Sequence, residues 1–434
     1  MTFKLLFKHL MSPSRFTRDV IWNMASLGVL GVSGLVINSV ILAARGAEEL
    51  GVFNQVFAIY IVASQIAVGG VQFSTLKHCS YAQNNLTECS QITSSALMLV
   101  GGIALPICVA LYLLSGFIGT ILESPSVAAG IIYALPGLFF FALNKVMIMA
   151  LNGLRHMRAF AVFQSLRYVL ILAGVILIIA LDWPGYKLPL SLSLTISEVI
   201  LFLFLIGYLY SQLFPIEISF SKAMCNRFRQ HILFGTRGFL SGVLTEMNTR
   251  VDVLMVGYFM SDMWVGVYSF GAIFAEGFAQ LCTVMRQNLD PLIGRAFATG
   301  KKEQITELAR KVRKRFWPLI SLLGLILMVV FPVLIWILAE EAVVWKSWGV
   351  FAILVTGVVI SARYRPFMGI LPQSGRPGLL TIIMAGSVLF NALLNLLLVP
   401  LIGINGSAIA TAAVFILEGF IVVVMSKRLF RIVL

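Results

Sequence analysis

The sequence predicts an all-α integral membrane protein with twelve transmembrane helices. Of its 434 residues, 59% are apolar and only 12% are charged, whereas an ordinary soluble domain carries about 25% charged residues. Apolar stretches of roughly 22 to 29 residues recur along the chain, and each can cross a hydrocarbon core of about 30 Å at about 1.5 Å per residue. Lys and Arg are concentrated on alternate connections between these stretches.

The apolar stretches follow one another with short connections, so no room remains for a folded soluble domain. The predicted spans are residues 20–44, 52–76, 92–115, 126–151, 159–181, 188–212, 233–260, 264–290, 317–339, 346–371, 379–401 and 406–426. The basic segment before the first span lacks a cleavage-site pattern, and the apolar run behind it is longer than the core of a secretory signal. We therefore expect the first span to be retained.

The distribution of basic residues predicts the orientation of the chain. The outward connections contain only Arg45, Lys187 and Lys346, whereas the inward connections and both termini are rich in Lys and Arg. The positive-inside rule then places both termini in the cytoplasm. The net charge of +14 reflects this orientation, and no nucleic-acid partner is expected. The most basic connection, residues 291–316, is either a determinant of orientation near anionic lipid or a lipid headgroup site.

A weak internal repeat divides the chain in half. Leu50 to Phe53 read LGVF between the first two spans, and Val265 to Tyr268 read VGVY between the seventh and eighth. A repeat at this distance predicts two pseudo-symmetric six-helix bundles, residues 1–217 and 218–434, in the same orientation. Such a construction is typical of transporters, which bind their substrate between the repeats.

Motifs of catalytic or metal-binding chemistry do not occur in the sequence. The segment GRAFATGKK has five residues between its glycines and Lys302 where a phosphate-binding loop requires Ser or Thr. The histidines have no zinc spacing, the five cysteines have no paired spacing, and no GxSxG sequence is present. We expect no enzyme, no metal and no cofactor beyond a coupling ion.

Ionisable residues inside the spans are the candidate functional groups, because a charge at the bilayer centre needs a partner or a water-filled cavity. The deep ones are Glu198, Glu246, Arg250, Asp252, Glu276 and Glu418. Four cations lie nearer the cytoplasmic end, where extension to the interface is the simpler interpretation. They are Lys145, Arg167, Arg237 and Arg286.

The seventh span is polar on two faces. One face carries Arg237, Ser241, Thr245, Asn248 and Asp252, and the opposite face carries Glu246 and Arg250. One face is expected to line an aqueous cavity, and the other is expected to pack within its own bundle. Two interpretations of Glu246 and Arg250 remain open: an intrahelical ion pair, or an Arg250 that binds an anionic substrate while Glu246 restrains it.

Three further spans carry rows of amide and hydroxyl groups on one helical face. The rows are Gln65 and Gln72; Glu276, Gln280 and Gln287; and Ser387, Asn391 and Asn395. Hydrogen bonds between helices would explain them, as would a hydrophilic lumen suited to sugar hydroxyls. Proline also occurs inside spans, at Pro106, Pro136, Pro332 and Pro366, which predicts kinks.

Three segments carry a resemblance to a known family. RVDVLMVGYFMSDMWVGVYSFGA (residues 250–272), LNLLLVPLIGINGSAIAT (residues 394–411) and ARGAEELGVF (residues 44–53) resemble polysaccharide and O-antigen flippases of the multidrug/oligosaccharidyl-lipid/polysaccharide exporter superfamily. The resemblance implies two six-helix bundles around a central V-shaped cavity. It also implies transport of an undecaprenyl-pyrophosphate-linked oligosaccharide from the inner to the outer leaflet by alternating access.

The resemblance further implies a cationic cavity and a coupling ion. The candidate substrate-binding residues are Arg250, Lys145, Arg286, Arg45, Asn248, Gln280, Asn391 and Asn395. The candidate ion-coupling residues, for H⁺ or Na⁺, are Asp252, Glu246 and Glu276. The protein is expected in the bacterial inner membrane as a monomer, with membrane lipids, the lipid-linked oligosaccharide and polysaccharide-assembly proteins as partners.

Two other functions compete with a flippase. A cation-coupled multidrug exporter has the same architecture, and the excess of deep acids over the single deep arginine is compatible with it. A membrane polymerase or ligase of glycans is disfavoured, because the outward connections are too short to carry acceptor-handling residues.

Overall fold

The described part of the chain is entirely helical. A computed structural model describes residues 15–182, 187–213, 222–339 and 341–434, and no strand occurs in these ranges, which confirms the all-α class. The α-helices are α1 Arg15–Val68, α2 Val71–Tyr81, α3 Leu86–Ile121, α4 Pro125–Gly153, α5 Met157–Ala180, α6 Leu192–Gln212, α7 Lys222–Phe259, α8 Asp262–Ala298, α9 Glu303–Lys311, α10 Trp317–Leu338, α11 Ser347–Ser361, α12 Ile370–Gln373, α13 Pro377–Ile402 and α14 Ile404–Phe430.

Ten helical segments within the described residues are long and apolar enough to cross a membrane. The first, Trp22–Val68, has 47 residues and covers most of the first two predicted spans. The second of these, predicted over residues 52–76, is interrupted at Gly69 and Gly70 and continues in α2. The predicted seventh span lies in α7, which carries Glu246, Arg250 and Asp252 and is not among the ten. The protein is therefore a multi-pass membrane protein, and the number of twelve crossings stays a prediction.

Glycine separates the first two spans. Gly46 interrupts α1 with φ 85° and ψ −179°, a backbone conformation that L side chains rarely adopt. A Cβ at this position would also collide with the carboxylate of Glu341. The break lies between residues 44 and 52, where the apolar pattern predicts the first outward connection. Gly69 and Gly70, also with positive φ, end α1 before α2 begins.

The prediction of one continuous span over residues 346–371 is wrong. The α-helix α11 ends at Ser361, and the chain then forms a short 3₁₀ turn at Arg365–Phe367 and the four-residue helix α12. Pro366 lies in this turn and supplies no backbone N–H for an α-helix. Pro106, Pro136 and Pro332 remain inside α-helices. The break places Arg365 in the short turn that follows α11.

The contacts group the chain into two compact units. The first contains the described residues of Met1–Ile37, Ala63–Leu114 and Gly130–Phe239. In it α5 packs against α6, and a core formed by Met147, Leu151, Phe163, Leu201 and Leu205, among other residues, is buried. The predicted division into bundles 1–217 and 218–434 stays a prediction.

The second unit contains Asn38–Val62, Ser115–Ala129 and the described residues of Leu240–Leu434. Its helix α11 packs against α8 and α14, and α13 packs against α14. An apolar core at one end joins Ile293, Ile305, Phe367, Leu371 and Val422. Within this unit Tyr268 of α8 donates a hydrogen bond to Asp252 of α7.

Candidate functional site

The deep charges of α7 and α8 meet within the second unit in what we call the α7–α8 cluster: Arg250, Asp252, Tyr268 and Glu276. Arg250 Nη1 lies 3.9 Å from Glu276 Oε1, and the two side chains are 19% and 38% exposed. The guanidinium carbon of Arg250 lies 5.3 Å from the centroid of the Phe57 ring, within the range of a cation–π contact. A partly accessible guanidinium beside a partly accessible carboxylate is suited to contact an ionic ligand.

Asp252 is the buried member of the cluster, and its residue is only 5% exposed. Its Oδ1 accepts a hydrogen bond of 2.9 Å from the backbone N–H of Val253, and its Oδ2 accepts one from the hydroxyl of Tyr268. The hydroxyls of Ser407 and Thr411 lie next to the Tyr268 oxygen. Oxygen atoms of this kind are the ligands that hard cations prefer. Among the described residues, no group of three His, Cys, Asp or Glu side chains could hold a metal.

Glu246 lies one turn before Arg250 on α7 and is half-buried. The sequence left open whether Arg250 pairs within its own helix or faces a ligand. The structure adds a partner on the neighbouring helix, Glu276. The guanidinium is therefore positioned between two helices, and its role toward a substrate stays a prediction.

Asn248 belongs to a neighbouring group of polar residues whose contacts were not predicted from the sequence. Its Nδ2 lies 3.4 Å from Glu418 Oε1, and Arg365 Nε lies 3.9 Å from Glu418 Oε2. The Arg365 guanidinium also lies 4.0 Å from the centroid of the Phe415 ring. Glu418 was recognised as a deep acid that needs a partner. Arg365 was not among the candidates from the sequence, although it directly precedes Pro366, where a kink was predicted.

Two members of the predicted polar row on α13 bond to each other, whereas the buried hydroxyl of the third, Ser387, has no hydrogen-bond partner among the described residues. Asn391 and Asn395 are both buried. Asn395 Nδ2 donates to Asn391 Oδ1 at 2.7 Å and to its backbone oxygen at 2.9 Å. The two amides therefore bond along α13. Gln280 on α8 is exposed.

The first unit contains a buried ionic cluster that contradicts one expectation. Arg167 was expected to extend to the interface, but its Nε lies 2.6 Å from Glu198 Oε1, and the side chains are only 11% and 1% exposed. Asn144 Nδ2 donates to Glu198 Oε2 at 2.8 Å. The guanidinium carbon lies 4.1 Å from the Phe141 ring centroid. The physical reason is that buried Glu198 needs a counter-charge, and Arg167 supplies it.

The remaining predicted cations have separate local partners. Lys145 Nζ lies 5.5 Å from the Phe141 ring centroid. Arg286 is half-buried one turn before Asp290 on α8. Arg45 lies 3.9 Å from Glu49, and its side chain is only 1% exposed; its role toward a substrate stays a prediction. The side chains of Arg237 and Ser241 lie outside the described residues.

A second polar cluster lies in the first unit at the start of α7, before the predicted seventh span. His231 is 2% exposed. Its Nδ1 lies 2.9 Å from Ser74 Oγ, and its Nε2 lies 3.1 Å from Ser95 Oγ. A neutral imidazole has one donor and one acceptor nitrogen, so one serine donates and the other accepts. The ring thereby joins α2, α3 and α7.

Acidification is expected to weaken this junction. Burial, followed by the nearby His78 and Arg227, lowers the pKa of His231 from 6.5 to about 4. Since the unfolded chain binds this proton first, the stabilisation is complete above about pH 6.5 and is lost as the pH falls toward 4, at roughly 1.4 kcal/mol per pH unit. Thermal unfolding of the purified protein measured between about pH 7 and pH 5 checks this.

The matched comparison uses two histidine variants. His231→Gln is expected to flatten the pH dependence of Tm, because the titrating group is gone. His156→Gln, at an exposed position, is expected to leave it unchanged. An identical slope in the wild type and in His231→Gln would contradict the assignment.

The fold and these clusters define the class of the protein. Long apolar helices with acidic and basic side chains held between them are typical of membrane transport proteins. The sequence profile of the polysaccharide biosynthesis protein family matches residues 16–297, and the chain belongs to this family. The MatE profile matches residues 239–397. These matches confirm the resemblance inferred from the three sequence segments. No curated protein sequence matches the chain.

Solved structures show the same fold at low sequence identity. A multidrug resistance MATE family transporter of the MOP superfamily, in an inward-facing conformation, is 14% identical over 93% of this chain and 97% of its own, with a TM-score of 0.72. The lipid II flippase MurJ is 15% identical over 94% and 87%, with a TM-score of 0.70. The Vibrio cholerae MATE transporter VcmN is 17% identical over 95% and 96%, with a TM-score of 0.65. The chain therefore has the fold of MOP superfamily transporters.

Proposed function

We propose that the protein is a non-enzymatic flippase that moves an undecaprenyl-pyrophosphate-linked oligosaccharide from the inner to the outer leaflet of the bacterial inner membrane. The glycan would belong to O-antigen or another surface polysaccharide. The observation that carries the proposal is the family match over residues 16–297. The glycan would cross through a polar passage while the lipid tail stays in the bilayer, which avoids moving hydroxyls and phosphates through hydrocarbon.

The α7–α8 cluster supplies the contacts that such a cargo requires. Arg250 offers a charge that can bind pyrophosphate, and Glu276, at 3.9 Å, orients its guanidinium. Asp252, Glu246 and Glu276 are the proposed coupling groups for H⁺ or Na⁺. In this proposal the monomer alternates between two accessible states, and polysaccharide-assembly proteins consume the product outside.

A second candidate function is a cation-coupled multidrug exporter. The MatE profile match over residues 239–397 favours it, as does the acidic surplus around Arg250. In that case Asp252 and Glu276 would bind a cationic substrate or the coupling cation, and Arg250 would only neutralise Glu276.

Deletion of the gene in its native host is expected to trap lipid-linked glycan units on the cytoplasmic side of the membrane. The measurement is isolation of undecaprenyl-linked intermediates, together with their accessibility from outside. Unpolymerised units on the outer leaflet would instead indicate a polymerase. Drug sensitivity with normal intermediates would indicate an exporter.

Complementation of the deletion separates substrate binding from helix packing at Arg250. Arg250→Gln is expected to lower transport about tenfold or more, because a charge-assisted contact to pyrophosphate is lost. Glu276→Gln and Glu246→Gln remove proposed coupling groups, so they are expected to lower transport as well, but to retain the binding of lipid-linked cargo that Arg250→Gln loses. Lys311→Gln, at an exposed position, is the control. Equal losses of cargo binding in Arg250→Gln, Glu276→Gln and the double variant would indicate a packing role, and full activity in every variant would reject the site.

A further inference from the structure

A polar pocket lies in the first unit, apart from the α7–α8 cluster. Its volume is about 460 Å³, which is in the range of small-molecule sites. It is formed where the end of α2, the start of α3 and the start of α7 meet. Its lining residues are His78, Tyr81, Ala82, Glu88, Ile92, Asn226, Arg227 and Gln230. Nothing in the proposed translocation chemistry uses this pocket.

The wall of the pocket is held rigidly by buried polar contacts. His231, with its bonds to Ser74 and Ser95, lies behind the pocket. The ring of His78 packs edge-on against the ring of His231, with centroids 6.1 Å apart. Lys77 Nζ lies 4.4 Å from the Phe234 ring centroid. These contacts join the α2 and α7 walls of the pocket.

The electrostatic character of the pocket is cationic at one end. Arg227 Nη2 donates to Gln91 Oε1 at 3.0 Å, which uses one of the five N–H donors of the guanidinium. Burial, with the nearby cations Lys77 and Arg227, lowers the pKa of His78. The guanidinium of Arg227 on α7 and the nearby ammonium group of Lys77 on α2 supply positive charge at this end, which favours an anion.

Beside this cationic end the pocket offers groups for sugar hydroxyls. Glu88 Oε1 lies 4.0 Å from Arg227 Nη2, and its side chain is 45% exposed, so it can accept hydrogen bonds while it orients the guanidinium. Asn226 and Gln230 add amides. Tyr81 is 77% exposed at the rim and presents a ring face. Glu88 would repel an isolated phosphate. In a phosphate that carries a sugar, the phosphate can contact Arg227 and the sugar hydroxyls can donate hydrogen bonds to Glu88.

We propose that this pocket binds a glycosyl phosphate, with the phosphate on Arg227 and the sugar hydroxyls on Glu88, Asn226 and Gln230. Except for Ile92, the first residue of the third predicted span, the lining residues lie between predicted spans, on connections predicted to be cytoplasmic. The ligand has two sources, a soluble nucleotide sugar or the headgroup of a lipid-linked glycan. The lipid-linked source rests on the proposed flippase function and would make the pocket a loading site.

Binding is measured on the full-length protein in nanodiscs with three probes. The probes are inorganic pyrophosphate, UDP-N-acetylglucosamine in solution, and undecaprenyl-diphosphate-N-acetylglucosamine in the nanodisc lipid. The glycosyl probes are expected to bind more tightly than pyrophosphate. Tight binding of the lipid probe alone assigns the headgroup source, and tight binding of the nucleotide sugar assigns the soluble source.

The variants separate the two ends of the pocket. Arg227→Gln is expected to raise the Kd of the glycosyl probe at least about tenfold. Glu88→Gln is expected to weaken the glycosyl probes but not pyrophosphate. Arg229→Gln, exposed on the same helix and outside the pocket, is the matched control. If Arg227→Gln lowers expression or Tm, the double change Asn226→Ala and Gln230→Ala gives the same test at the pocket surface.

Two outcomes overturn the proposal: no saturable binding of any glycosyl probe, or equal Kd values for wild type, Arg227→Gln and Arg229→Gln. Failure of the proposed flippase function can be distinguished from failure of the proposed pocket. Arg227-dependent binding of the nucleotide sugar, with normal leaflet distribution of lipid intermediates after gene deletion, would retain the pocket and reject the flippase. Normal flipping together with unchanged binding in Arg227→Gln would reject the pocket alone.

Discussion

Glu198→Gln is expected to destabilise the protein by about 3–5 kcal/mol, because it leaves the guanidinium of Arg167 buried without a counter-charge. Arg167 Nε and Glu198 Oε1 are 2.6 Å apart, and the Glu198 side chain is 1% exposed. Asn144 bonds both the carboxylate and the backbone oxygen of Glu198. The Arg167 side chain is only 11% exposed, so water can reduce the cost of its unpaired charge only in part.

Fluorescence-detected thermal unfolding of the purified variants measures the effect. The double variant Arg167→Met with Glu198→Leu is expected to recover most of the loss, since well-packed apolar residues can replace a buried ion pair at little cost. Glu307→Gln is the matched control, because Glu307 lies 2.8 Å from Lys311 on the surface, with both side chains more than half exposed. It is expected to leave Tm unchanged. A Glu198→Gln variant as stable as the Glu307→Gln variant would disprove the structural role of the buried pair.

Gly51→Ala and Gly266→Ala are each expected to destabilise the second unit by about 3 kcal/mol or more, as overpacking against backbone leaves no side chain that can move aside. A Cβ at Gly51 would collide with the backbone carbonyl of Asp262, and a Cβ at Gly266 would collide with the backbone carbonyl of Ala47. The backbones of α1 and α8 are therefore in direct contact, with Gly51 facing α8 and Gly266 facing α1. Close approach through small residues is a typical way in which membrane helices associate.

The side chains around this crossing reinforce it. Gln55 Nε2 donates to Asp262 Oδ1 at 2.6 Å, and Ser124 Oγ donates to Asp262 Oδ2 at 2.6 Å. An outward shift of α8 would break both hydrogen bonds. The loss on adding a methyl group is therefore expected to exceed that of an ordinary core overpacking.

Two glycines on the same helices provide the controls. A Cβ at Gly28 on α1 or at Gly277 on α8 meets nothing within 4 Å. Gly28→Ala and Gly277→Ala are expected to be neutral or stabilising by up to about 1 kcal/mol, from the higher helix propensity of alanine. Expression level and Tm in detergent measure all four variants. Equal behaviour of Gly51→Ala and Gly28→Ala would mean that the close approach of α1 and α8 does not contribute to stability.

The close approach also explains the weak repeat in the sequence. The motifs LGVF and VGVY contain Gly51 and Gly266 at equivalent positions, and these are the two residues that meet in space. The sequence showed that Gly51 and Gly266 occupy equivalent positions, but it did not show which helix each glycine faces. That information arose only from the contact of α1 with α8.

Length and polarity, which act locally, were sufficient to predict the helical membrane class and the positions of the apolar segments. The predicted helix boundaries were wrong where one residue type is compatible with two structures. At Pro366 a kink within a span was expected, and a break was found. The deep acids were recognised from the sequence, because the cost of a charge in hydrocarbon depends on depth alone.

The partners of those charges could not be derived in the same way. Arg167 and Glu198 are on different helices, as are Asp252 and Tyr268, and Arg365 and Glu418. Whether a charged side chain snorkels, pairs or contacts a ligand depends on which group lies within about 4 Å of it. In each of these pairs that group is distant in the sequence. The amino-acid order thus determined which residues needed partners, and the packing of the helices decided which partners they received.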